Sequence, residues 1–157
     1  MPTLDTNAEV RMTTAEDARR FVLGGNAYFT LKSTATGTRF TYRVSAPKDA
    51  TPSSPKFVGV LTGSDNNQDY TYLGCIWPDG NFAYGKKSRI TPDAPSAKGF
   101  AWFWNANLRH GNLPSVVEFY HEGRCGCCGR RLTTPESVTL GFGPECAEKM
   151  EIGRAHV

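Results

Sequence analysis

Three cysteines, Cys125, Cys128 and Cys146, place the tightest constraint on what this chain can fold into. Cys125 and Cys128 form a C-x2-C pair, the spacing at which a tight turn aims two sulfurs at one point, and 17 residues separate Cys128 from Cys146. Four of the five cysteines lie between positions 125 and 146, and clustering of that kind reads as metal ligation. The fifth, Cys75, stands in an apolar run and reads as a small buried hydrophobe. The opening MPTLDTNAEVRM has no apolar stretch of the signal-peptide kind, so a reducing, cytoplasmic setting is expected, where disulfides are rare.

Thiolates are the preferred structural ligands of zinc, which takes four donors in a tetrahedron. Gly129 follows the pair and lets the backbone turn so that amide N–H groups reach the sulfurs. Pro144 suits the first turn of a final helix that carries Cys146, where the helix dipole favours a thiolate. The fourth ligand is open. His121, at H-x3-C, reaches the same ion from the incoming chain and is the expected fourth ligand; Cys127 competes, but a residue between two knuckle cysteines normally points away, and a residue beyond 150 is the third option. A module of about 30 residues buries too little apolar surface to fold alone. One structural zinc contributes the missing stability, on the order of 10–16 kcal/mol in comparable peptides.

The string CGCCGRRLTTPESVTLGFGPEC resembles the core of a zinc-binding domain of unassigned function that is frequent in phage and prophage proteins. A knuckle followed by a helix-borne cysteine also resembles a treble-clef zinc finger, although such a finger takes two ligands from its helix and only Cys146 is available here. The resemblance covers about residues 119–150, and more weakly LTGSDNNQDYTYLG and PSAKGFAWFW upstream. It implies zinc, a phage setting within a bacterial host, and a module without catalysis.

The remainder reads as α+β. Residues 1–12 are expected to be flexible, 13–114 to form an α+β domain, and 115–150 the zinc module. The final EIGRAHV resembles a translated sequencing adapter, so 151–157 are set aside as a foreign tail and His156 with them. Thr13 and Glu16 fit a capping box ahead of a helix from Ala15 to Leu23. Period-two alternation then predicts a hairpin through Ala27–Lys32 and Phe40–Val44, followed by strands at Phe57–Leu61, Tyr70–Trp77 and within Phe82–Ile90. This is a small antiparallel sheet of about five strands with one face covered. The cover is a helix from Ser96 to Leu108, where Phe100, Phe103, Trp104 and Leu108 share a face. Trp102 points elsewhere and either seals the junction with the zinc module or meets a partner. Val116–Tyr120 feeds the metal site.

The net charge of +3 permits nucleic-acid contact without demanding it. Lys86, Lys87, Arg89 and Lys98 lie close in sequence, Arg124, Arg130 and Arg131 surround the knuckle, and Arg109 and His110 sit between. Merged into one face, with Tyr84 and Trp102 as stacking groups, they would bind DNA or RNA. The zinc module itself is balanced, with four basic and four acidic residues from His121 to Met150, so an ordinary solvated surface is the competing reading. Catalysis is not expected: Gly85-Lys86-Lys87-Ser88 lacks phosphate-loop spacing, RHGN at 109–112 is too little for a nuclease, and the Ser64–Asp69 loop lacks calcium-ligand periodicity. Two binding functions remain: nucleic acid, through Lys86, Lys87, Arg89, Arg124, Arg130 and Arg131, or a host defence or replication protein held through Trp102. Neither a membrane nor a small-molecule substrate is implied.

Overall fold

The computed structural model describes residues 10–47, 49, 51, 53–64, 68–132 and 135–149. Most of the N-terminal segment expected to be flexible, the adapter-like tail and the centre of the Ser64–Asp69 loop lie outside the described residues.

The chain forms one antiparallel sheet with helices on one face. Strand β1 (Val10–Met12) precedes helix α1 (Ala15–Val22). A meander follows: β2 (Asn26–Ser33), β3 (Arg39–Ser45), β4 (Lys56–Leu61), β5 (Tyr70–Ile76) and β6 (Phe82–Tyr84). Helix α2 (Pro95–Ala101) continues into a π-helical segment, Trp102–Asn107, and a 3-10 turn, Leu108–His110. Strand β7 (Val117–His121) leads to α3 (Pro135–Leu140) and α4 (Pro144–Lys149). The sheet has seven strands rather than five, in the order β1-β7-β2-β3-β4-β5-β6. Both additions are non-local. The segment expected only to feed the metal site pairs with β2 (Phe29 opposite His121), and Val10–Met12 pairs with that segment in turn. Neither is long enough to show its alternation in the sequence.

The N-cap of α1 falls one residue later than the capping box predicts, with Thr14 Oγ1 accepting from Asp17 N at 3.3 Å. The helical cover matches expectation: Phe100, Phe103, Trp104 and Leu108 are all at most 1% exposed. Phe100 meets Phe29, Tyr42 and Phe82 at centroid distances of 6.4, 5.1 and 4.9 Å. Phe103 stacks with Phe119, and Phe119 with Phe29 at 4.9 Å. Each buried ring contributes about 1.5–3 kcal/mol relative to exposure. The same apolar cluster runs on through Phe21 to Cys125, Leu132, Phe142 and Cys146, so the cysteine module shares the core of the sheet.

A bulge in β5 fixes the character of the uncovered face. Val58 pairs with Gly74 and Gly59 with Tyr72, leaving Leu73 as the extra residue. Leu73 is fully buried, while Tyr72 turns to the outer face beside Phe57. Among the described residues no helix is long and apolar enough to cross a membrane.

Candidate metal centre

After β7 the chain makes a tight hairpin. Leu132 N donates to Gly123 O at 2.8 Å, Arg124 bridges Arg131, and Cys125 N donates to Arg130 O at 2.8 Å. Its tip is Cys125–Gly129, closed by Gly129 N donating to Cys125 O at 2.9 Å with Gly129 at φ +78°, a region glycine enters without strain. Gly126 anchors the tip to the rest of the fold, accepting from Asn26 N and donating to Gly141 O, both at 2.8 Å. The chain then returns through α3 to α4, whose first turn carries Cys146 over the hairpin tip.

The sulfurs of Cys125, Cys128 and Cys146 all lie within 4.8 Å of one another. Around a tetrahedral ion with metal–sulfur bonds of about 2.3 Å, sulfurs stand about 3.8 Å apart, so small side-chain rotations close the set. Burial pushes the Cys125 thiol up, but N–H groups of Cys128, Gly143 and Cys127, with the Cys128 thiol, hold it below its ordinary value. These are the amide-to-sulfur bonds that support a metal-bound thiolate. Burial, and contact with the thiols of Cys127, Cys125 and Cys128, push Cys146 the other way. Crowded thiols that resist joint ionisation are what a divalent cation relieves. The donor set fits a metal ion that favours sulfur.

His121 does not join the group. Its ring is fully buried against Phe21 at 5.2 Å; Nδ1 accepts from Gly123 N at 3.0 Å, and Nε2 lies 2.6 Å from Val138 O. Both nitrogens are occupied by backbone, which makes this a core histidine tying β7 to α3. The H-x3-C spacing alone could not separate that role from ligation. Cys127 is half-buried, with its thiol near enough to add to the upward push on Cys146, but it falls outside the set of sulfurs that all lie within 4.8 Å of one another.

The basic residues do not merge as expected. Arg130 and Arg131 are exposed and line the cleft around the three cysteines. Lys86, Lys87 and Arg89 are exposed beyond β6, at the other end of the strand order from β7. The Tyr84 hydroxyl donates to Ile90 O. Trp102 is 46% exposed and lines an apolar hollow with Leu31, Phe40 and Val116, away from the cysteines. Arg109 is held by Asp79 O at 3.2 Å and Asn81 Oδ1 at 3.3 Å. Cys75 Sγ lies 3.3 Å from the Tyr72 hydroxyl.

Arg124 takes a place no motif indicated. Its guanidinium leaves the hairpin and lies over the Tyr28 ring at 4.5 Å, on the uncovered face, with Arg43 over the same ring at 5.2 Å. Tyr28 and Arg43 were legible only as the outward positions of the alternating hairpin.

Sheet and cysteine cluster together define an α+β protein with a sulfur-rich site able to hold a metal ion. Residues 116–151 match the model of a family of unknown function, DUF6011, which takes in β7, the hairpin and both final helices. No curated protein and no solved structure matches the chain.

Proposed function

We propose that the protein is a non-enzymatic phage or prophage accessory protein that binds nucleic acid and is held in shape by one structural zinc ion. Cys125, Cys128 and Cys146 are its ligands, and Cys127, whose thiol is near enough to push that of Cys146 up, is the candidate for the fourth position, since both His121 nitrogens are on backbone. In such a treble-clef-like module the ion carries no open position for water activation, so its role is to fold the hairpin. The observation that carries the reading is Arg124, one residue before Cys125, which the hairpin lays beside Arg43 on the uncovered sheet. Metal and cationic surface are thereby one assembly.

Two measurements test it. Elemental analysis of purified protein should give one zinc per chain, lost in Cys125→Ser and retained in His121→Asn. Mobility shifts at low salt should show a complex with DNA or RNA that weakens steeply as salt rises, since each neutralised phosphate releases counterion. Metal-free folded protein, or no complex with any nucleic acid, overturns the proposal.

The second reading is a module that inhibits a host defence or replication factor. It is favoured by Trp102 and Val116, which expose 46% and 49% of their surface around one apolar hollow. Salt-tolerant capture of a defined host protein, abolished by Trp102→Ala, would replace the first reading with this one.

A further inference from the structure

The uncovered face of the sheet bears rings and cations beside the small polar pair Thr30 and Thr41. Strand register places Tyr28, Arg43, Gly59 and Tyr72 in one row across β2, β3, β4 and β5. At one end Arg124 covers Tyr28. At the other, the Tyr72 ring lies against Gly85, and Ser88 Oγ bonds Tyr72 O at 2.7 Å, so the Gly85-Lys86-Lys87 turn continues the row. In the adjacent row Phe57 meets Tyr72 edge-on at 6.4 Å. These two rings are 41% and 37% exposed. Gly59 leaves the middle of the row without a side chain, and Tyr70 leans across that space to meet Tyr28 at 5.8 Å. A Cβ at Gly59 would stand 3.3 Å from that of Tyr70. The flanking outward positions add Arg11, Lys32 and Arg39, against Glu118, engaged by Arg11 at 3.7 Å and by the Tyr120 hydroxyl at 2.6 Å, and Glu122, whose charge acts on the Tyr70 hydroxyl.

We propose that this face is a platform for single-stranded nucleic acid, with bases on Tyr72 and Phe57 and phosphates on Arg43, Arg124, Lys86 and Lys87. The proposal rests on the nucleic-acid reading above and gives it a surface and a strandedness. Four neighbouring strands span roughly 15 Å, enough for a few unstacked nucleotides. Rings lying on a sheet reach base faces only where bases are splayed apart; a duplex offers its edges and phosphates instead. The positive balance of the face matches a polyanion. Arg130 and Arg131 belong to the metal cleft and are not part of the platform.

Fluorescence anisotropy with a labelled oligothymidylate of about 12 nucleotides, and with a duplex of the same length, tests the assignment. The single strand should bind tighter than the duplex at equal salt. Tyr72→Ala and Phe57→Ala should each weaken it about fivefold or more, whereas Tyr72→Phe binds as the parent. Tyr72→Leu keeps the apolar bulk without a stacking face and should also lose affinity, which covers the case where the alanine variant unfolds. Replacing Lys86 and Lys87 by Gln should make the salt slope shallower by roughly one to two. Parent-like binding by the alanine or leucine variants overturns the platform and leaves the nucleic-acid reading standing. Duplex preference also overturns it. Absence of binding to either probe overturns both.

Discussion

His121 shows how one residue type supports two chemistries. Four residues ahead of Cys125 it has the spacing of a ligand, yet its ring is fully buried with both nitrogens on backbone. Burial pushes the imidazole below its ordinary 6.5, partly offset by the bond to Val138 O. The unfolded chain therefore takes up a proton near pH 6.5 that the folded chain accepts only at lower pH. Stability contributed by the neutral ring is complete above that point and is lost as pH falls below it, by up to about 1.4 kcal/mol per pH unit. Urea unfolding at about pH 7.5 and about pH 5.5 should show His121→Asn costing more at the higher pH. Parallel profiles for parent and variant would place the imidazole elsewhere.

At the scale of elements, the hairpin β2–β3, the helical cover and strands β4 and β5 were legible because each repeats its period long enough to register. The short partners were not. Strand β6 has three residues and depends on a side chain for its free edge: Asn105 Oδ1 accepts from Phe82 N and Nδ2 donates to Phe82 O, both at 2.9 Å. The amide thus stands where the next strand would be. The wider turn of the π-helical segment brings Trp104 and Asn105 to this edge together, with Trp104 Nε1 donating to Gly80 O at 2.7 Å. Asn105→Ala should cost about 1–3 kcal/mol, because two backbone groups lose their partners. Amide exchange should accelerate at Ala83 and Tyr84, the strand's remaining residues. Unchanged exchange there would mean the edge holds without its cap.

For the whole molecule, the consequence lies in the shared core. Phe21 touches Phe119 of β7 at 6.2 Å, Phe142 of the cysteine module at 6.0 Å and His121 at 5.2 Å, so module and sheet bury one another's apolar surface. Chelation should therefore lower the midpoint of a single thermal transition followed by both tryptophan fluorescence and far-ultraviolet circular dichroism. A sheet that melts unchanged by chelator would show that the two fold separately.

By itself, the sequence determined the cluster of three sulfurs able to hold a metal, the covering helix and the antiparallel class, since each is written in short-range spacing that any compact fold must respect. Tertiary structure decided what depends on distant segments meeting. Pairing of Val117–His121 with β2 turned a supposed ligand into a core residue. The one-residue bulge at Leu73 moved Tyr72 to the face where Arg124 and Arg43 converge on Tyr28. Register shifts and cross-sheet contacts leave no periodic trace in a chain, because their energy comes from residues far apart along it.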